Sequence, residues 1–120
     1  YGMTGGQMAP TTLVGQKATT APNGRDPSQH GYPLHMCELL SDLAAPAYLA
    51  RVTCTTPANV MKTKAAIKKA FETQMAGKGF SLVEVVSNCP TNWGMSPLET
   101  INYMNEYTLK EFPLGEYRAK

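Results

Sequence analysis

The sequence has no long apolar run. Its longest, Leu43 to Ala50, is 8 residues and contains Pro46. A bilayer-spanning helix needs about 20, so no membrane segment is expected. Charge is also scarce: 17% of residues carry one, with 11 Lys and Arg against 9 Asp and Glu for a formal net charge of +2. So even a balance gives no drive toward nucleic acid or an anionic membrane. Cysteine is limited to Cys37, Cys54 and Cys89, and no Cys-x-x-Cys occurs. An odd, unpaired count excludes a disulfide framework, and the chain cannot build a zinc ribbon alone. His30 and His35 lie five apart, which is not a helical metal spacing. There is no Asn-x-Ser/Thr sequon, and no charged start followed by an apolar segment. These absences lead us to expect a cytoplasmic protein. What is present is globular: 42% hydrophobic residues in 120, about one domain's worth, which excludes a collagen repeat, a coiled coil and a long disordered tail.

The chain is uneven. Residues 1–33 hold 6 of the 10 Gly, 4 of the 9 Pro and five Thr, with only Lys17, Arg25 and Asp26 charged. This reads as a long ordered or semi-ordered loop, and loops of that length inside a compact domain are usually functional. Pro22-Asn23-Gly24 is a turn signal.

From residue 33 the pattern becomes regular. Pro33 suits a helix start, and Leu34, Cys37, Leu40 and Leu43 follow at helical spacing, with Pro46 ending the segment. Residues 47–54 read as a strand. Thr56-Pro57 predicts a helix start with Thr as N-cap. That helix runs to about Ala76, with an apolar stripe of Val60, Ile67, Phe71 and Met75, Ala70 beside it, and Lys62, Lys64, Lys68 and Lys69 largely off it. Ser81 to Ser87 is a second strand, apolar enough for a sheet covered on both faces. Residues 88–94 are a loop. Ser96-Pro97-Leu98-Glu99 is a capping box opening a last helix, which Phe112-Pro113 closes. The tail 113–120 is expected to be peripheral.

Alternating strands and helices imply right-handed crossovers and a parallel sheet. A two-stranded parallel sheet does not stand alone. We therefore expect an α/β fold that is the second part of a larger domain, with helices on both faces. The Gly-rich opening at Tyr1, without an initiator Met, fits that expectation.

Two loops carry candidate chemistry. The first is Tyr1-Gly2-Met3-Thr4-Gly5-Gly6-Gln7 with Ala9-Pro10-Thr11-Thr12 after it. Glycines let backbone N–H groups approach phosphate, and Thr hydroxyls add donors; from spacing alone a mobile loop is the default reading. The second is Asn88-Cys89-Pro90-Thr91-Asn92. A Cys-Pro at a strand end can ligate an iron–sulfur cluster, or be a half-buried structural thiol. Cys37, on a helix stripe, and Cys54, in a strand, read as core thiols.

Taken together and in order, Tyr1 to Gln7, Ala9 to Thr12, Thr19-Thr20-Ala21-Pro22, Ala50-Arg51-Val52, Lys78 to Val85 and Asn88 to Asn92 resemble the β subunit of the 2-oxoacid:ferredoxin oxidoreductases. The resemblance covers nearly the whole chain and is nearest to the short β subunits of the 2-oxoglutarate or branched-chain enzymes. It implies a partial thiamine-diphosphate-binding domain over 1–120: a cofactor loop region 1–33, a helix-strand-helix-strand-helix region 34–112 and a tail 113–120. It implies an oxidoreductase that converts a 2-oxoacid to acyl-coenzyme A, with ferredoxin as electron acceptor and α and γ subunits as partners. Met3 and Thr4 would contact the diphosphate, with Gly5 and Gly6 permitting its close approach. Cys89 would be the remote ligand of a 4Fe–4S cluster.

The family's magnesium-binding Gly-Asp-Gly, the Asn before the Tyr-Gly phrase and its Cys-x-x-Cys are not in this chain. Alone, these residues are expected to bind thiamine diphosphate, Mg2+ and the cluster poorly and to be inactive. Some relatives have Lys where Gly5 stands. The lysine face of the long helix reads as a solvated face or as a dock for acidic ferredoxin, and Trp93 as packing or as a shield for the cluster. The alternative function is a non-catalytic interaction module that keeps half of this fold.

Overall fold

A computed structural model describes residues 1–120 in full. In chain order the elements are β1 (Met3–Thr4), β2 (Gln7–Met8), α1 (Pro27–His30), α2 (Met36–Ser41), β3 (Pro46–Thr53), α3 (Pro57–Met75), β4 (Phe80–Val86), α4 (Pro90–Trp93), α5 (Pro97–Tyr103), a π-helical turn (Met104–Thr108), α6 (Leu109–Glu111) and β5 (Gly115–Ala119). They form two compact units. One is Tyr1–Leu34 with Asn88–Glu111; the other is His35–Ser87 with Phe112–Lys120.

The first unit has more regular structure than its composition predicts. β1 and β2 pair antiparallel, with Met3 opposite Met8 and Thr4 opposite Gln7. The following segment folds back through bridges between Val14 and Arg25 and between Ala18 and Ala21. Gly24 makes that fold-back possible. Its φ is +93°, and a Cβ there would lie 2.6 Å from the Gly15 carbonyl oxygen, so only glycine fits. Asp26 caps α1, accepting from Ser28 N at 2.9 Å. Ser96 and Glu99 form the expected capping box, with Glu99 N donating to Ser96 Oγ at 3.2 Å and Ser96 N donating to Glu99 Oε2 at 2.8 Å. The 88–94 loop contains the short helix α4.

The second unit is a three-stranded sheet, ordered β4-β3-β5. β3 pairs parallel with β4, Leu49 opposite Leu82 and Arg51 opposite Glu84. β5 pairs antiparallel with β3, Leu49 opposite Arg118, with a register shift between Leu49 and Ala50. The tail is therefore not peripheral, and the sheet is mixed rather than parallel. Arg118 donates to the carbonyls of Leu43, Ser41 and Pro46, and Lys120 N donates to Ala47 O at 2.9 Å. β4 is an edge strand and is only half-buried over most of its length, so its apolar run is not covered on both faces.

Helices cover both faces of β3. Alternate residues of a strand face opposite ways: Tyr48 and Ala50 pack with Ala66 of α3, while Arg51 meets Glu38 of α2. α3 has the predicted cap, with Asn59 N donating to Thr56 Oγ1 at 3.1 Å. Its orientation differs from expectation. Thr63, Ala66 and Thr73 are buried, while Val60, Ile67, Phe71 and Met75 are exposed. Small side chains seat the helix closely, and the Thr63 hydroxyl donates to Thr53 O at 2.9 Å, so the apolar stripe faces away. α2 starts three residues past Pro33, because Leu34 N donates to Pro10 O at 2.8 Å instead of entering a helix. Cys37 is buried as expected. Cys54 lies one residue past β3 and is exposed, so it is not a core thiol.

Arg51 is fully buried. Its guanidinium grips Glu38 through both terminal nitrogens, Nη1 to Oε1 at 2.9 Å, and Glu84 Oε2 through Nε at 2.8 Å. Nη1 also donates to Tyr117 Oη at 2.6 Å and Pro113 O at 3.2 Å. The Tyr117 and Phe112 rings stack over it at 4.9 and 5.4 Å. This one side chain ties α2, β3, β4 and β5 together. The same surroundings set nearby protonation. The hydrogen bond from Arg51 holds the Glu38 carboxyl down to about 2. Burial, with the Glu84 carboxylate adding to it, pushes the Cys37 thiol up to about 12.

Removing one partner of a buried ion cluster costs about 3–5 kcal/mol, because the others are left unpaired. Arg51→Ala is expected to lower stability by about that much in denaturant unfolding; an unchanged midpoint contradicts it. Glu38 also predicts acid sensitivity. Its folded pKa lies below its ordinary 4.5, so its stabilisation is complete above that value and is lost as pH falls toward 2. A melting-temperature series should show this loss, and Glu38→Gln should flatten it.

Candidate functional site

The predicted site residues Met3, Thr4, Gly5 and Gly6 form the β1–β2 hairpin. Gly5 and Gly6 have φ of +56° and +82°. Two consecutive positive φ values are the type I′ turn that matches strand twist, and they favour glycine strongly. Gly5 and Thr4 are exposed, Met3 and Gly6 half-buried. No atom lies within 4 Å of where a Cβ on Gly5 would sit, so the backbone there is open to approach.

Both ends of the hairpin are fixed. At its base, Gly2 N donates to Thr11 Oγ1 at 3.0 Å, and the Thr12 hydroxyl donates to Gly2 O while accepting from Ala9 N at 2.8 Å. At its tip Thr19 N donates to Gly6 O at 2.9 Å, and farther along β2 Met8 N donates to Thr20 Oγ1 at 2.9 Å. The Ala9 to Thr12 and Thr19-Thr20 phrases therefore brace the Gly-rich turn.

The same unit brings the second loop to the first. Asn92 Oδ1 and Thr19 Oγ1 each lie 3.6 Å from where a Cβ on Gly6 would sit. Cys89 is half-buried, immediately before α4, and Trp93 N donates to its carbonyl at 2.9 Å. Asn88 Nδ2 donates to Thr100 Oγ1 at 2.8 Å. Trp93 packs edge-on to Tyr103, ring centroids 5.4 Å apart. Its Nε1 is buried without a hydrogen-bond partner.

Thr19, Thr20 and Asn92 were not singled out by the sequence reading, although all lie in its quoted phrases. Arg25 was passed over too, despite being the only arginine in a charge-poor loop. No group of three His, Cys, Asp or Glu side chains is placed to hold a metal ion. On α3, Lys69 pairs with Glu116 at 2.7 Å and Lys68 with Glu72 at 3.7 Å. A cavity of about 410 Å³ in the second unit lies between α3 and the β3–β5 strands; none of the predicted site residues lines it. No helix is long and apolar enough to cross a membrane.

The chain as a whole is similar to known proteins. The chain is 50% identical over all of its 120 residues to the ketoisovalerate oxidoreductase subunit VorA of Methanothermobacter marburgensis, covering 25% of that protein. It is 37% identical over 114 residues, 91% of its length, to the 2-oxoglutarate synthase subunit KorB of Methanocaldococcus jannaschii, covering 38% of that protein. The chain is a homologue of 2-oxoacid oxidoreductase subunits. It spans between a quarter and two fifths of these relatives' lengths. No family model matches it, and no solved structure does.

The turn geometry gives a direct check. A non-glycine residue in the left-handed region costs about 1–2 kcal/mol. Gly6→Val combines that cost with a β-branched side chain between Asn92 and Thr19. It is expected to loosen the hairpin, read as faster amide exchange at Thr4 and Gln7; unchanged protection at both sites contradicts the turn assignment.

Proposed function

We propose that the chain is the diphosphate-binding part of a subunit of an enzyme that oxidatively decarboxylates a 2-oxoacid to acyl-coenzyme A with ferredoxin as electron acceptor. The observation that carries this is homology over the whole chain to a subunit named for ketoisovalerate, and over 91% of it to one named for 2-oxoglutarate. The geometry of the hairpin supports it.

The residues present fit the diphosphate end of thiamine diphosphate. Thr4, exposed on the hairpin, would donate its hydroxyl to a phosphate oxygen, and Met3 precedes it on the same strand. Gly5 and Gly6 bring main chain to the anion with no side chain in the way. When bound, thiamine diphosphate supplies a nucleophilic carbon and an electron sink for decarboxylation. The chain's own part is to grip and orient the phosphates through a turn that its neighbours hold rigid.

The residues present do not by themselves fit magnesium or an iron–sulfur cluster. A 4Fe–4S cluster takes four thiolates, and magnesium takes octahedral oxygen ligands. In our reading Cys89 is one remote cluster ligand, and the remaining ligands for both ions come from elsewhere in the assembled enzyme. The α and γ subunits and coenzyme A are further partners of that assembly, which we place in the cytoplasm. The 2-oxoacid is ketoisovalerate or 2-oxoglutarate, by likeness to the two named relatives.

The test uses the complete, assembled enzyme. A hydrogen bond to a charged group is worth about 1.5–3 kcal/mol, so Thr4→Val should weaken thiamine diphosphate binding by roughly ten- to a hundredfold. Cys89→Ser should lower iron content and alter the iron–sulfur spectrum. Unchanged cofactor affinity in the first variant removes the hairpin assignment. Unchanged iron in the second removes the ligand assignment. If neither purified subunit nor assembly binds thiamine diphosphate, the interaction-module reading takes its place.

A further inference from the structure

Arg25 is almost fully buried, at 7% exposure, and its guanidinium meets main-chain carbonyls on every side. Nη1 donates to Ala9 O at 3.2 Å, Pro10 O at 3.0 Å and Thr12 O at 2.9 Å. Nη2 donates to His30 O at 3.2 Å and Tyr32 O at 2.9 Å, and Nε to Gly31 O at 3.0 Å. Six acceptors thus surround a group with five N–H donors. The neighbouring carboxylate of Asp26 is occupied elsewhere, accepting from both the N–H and the hydroxyl of Ser28.

Three of those carbonyls belong to the segment that closes the hairpin. Ala9 follows β2 directly, and Thr12 is the residue whose hydroxyl joins Gly2 to Ala9. The guanidinium therefore sets the position of the turn at residues 9–12, and that turn holds both strands of the hairpin at their base. Only a planar fork of fixed geometry reaches carbonyls from two segments at once; a lysine ammonium has three donors at a single point. The Arg25 donors all go to main-chain carbonyls and none to a carboxylate, so its bonds fix backbone positions rather than hold an acidic side chain.

We propose that Arg25 is a positioning residue for an anionic, diphosphate-bearing ligand at the Gly-rich turn: by holding the turn at residues 9–12 it fixes the hairpin in its binding geometry. This rests on the functional reading above. Its own content is that a residue remote from the ligand governs affinity.

The experiment measures thiamine diphosphate affinity, by fluorescence quenching, in the complete assembled enzyme. Arg25→Lys keeps the charge and loses the fork. It should raise the dissociation constant at least about tenfold, while kcat at saturating cofactor stays within about twofold of the parent, since no group touching the reacting atoms has changed. Arg25→Ala should bind more weakly still, and millimolar guanidinium should restore part of the affinity where methylammonium does not. Thr12→Val cuts the same brace without disturbing a buried charge and should weaken binding in the same sense; if Arg25→Lys does not assemble, this variant decides. Unchanged affinity in Arg25→Lys, or in Thr12→Val where it decides, overturns the proposal. A fall in kcat matching the loss of affinity, with no rescue, overturns it as well, because that is general structural damage. Gly6→Val in the same enzyme separates the two readings. If it leaves affinity unchanged, the hairpin is not the binding element. If it weakens affinity and Arg25→Lys does not, the hairpin reading stands and the role of Arg25 falls.

Discussion

An arginine cannot shed its charge on burial, so a fold that encloses one must supply acceptors all around it. This chain encloses two, and each unit is built about one of them. In the second unit Arg51 is met by two carboxylates, a phenol and two rings, drawn from α2, β4, β5 and the segment leading into β5. In the first unit Arg25 is met by six carbonyls from two loop segments. The first solution ties regular elements into a sheet-and-helix layer. The second makes an ordered scaffold out of a stretch with little regular structure. Buried apolar surface alone could not do this in the first unit, whose enclosed hydrophobic side chains include only Leu13, Ala21 and Met104.

Much of the fold was legible from local signals. The strand at Pro46–Thr53, the Thr56 cap, the helix from Pro57 and the Ser96 capping box all follow from short-range chemistry. The errors came from tertiary pairing. Gly115–Ala119 looks like a tail because five residues with two charges carry no strand periodicity; its strand state comes from pairing with β3 and from Arg118 reaching three carbonyls. The stripe on α3 is truly periodic, but periodicity does not say which side the sheet lies on. Small residues won that contest, since Ala66 and Thr63 allow a closer seat than Ile67 or Phe71.

The candidate site was legible as composition but not as geometry. A Gly-rich phrase with threonines signals a loop suited to anions, yet nothing in it says that Gly5 and Gly6 close a hairpin. Nor does it say that Asn92, 86 positions later, lies beside that turn. Such neighbours are visible only once the chain is folded. The role of Arg25 was hidden for another reason. A cation in a polar loop reads as solvated, and only its burial reverses that reading. Where local chemistry left the reading open, the resemblance over nearly the whole chain narrowed it.

The three sulfurs of this chain live in different chemical worlds. Cys37 is enclosed near Arg51 and Glu84 and holds its proton far above neutral pH. Attack on peroxide or an electrophile needs a thiolate that solvent can reach, and Cys37 has neither property. Oxidative injury therefore falls first on Cys54, whose surface position makes it a sacrificial neighbour rather than a structural one. The half-covered Cys89 stands between them, neither enclosed like Cys37 nor open like Cys54.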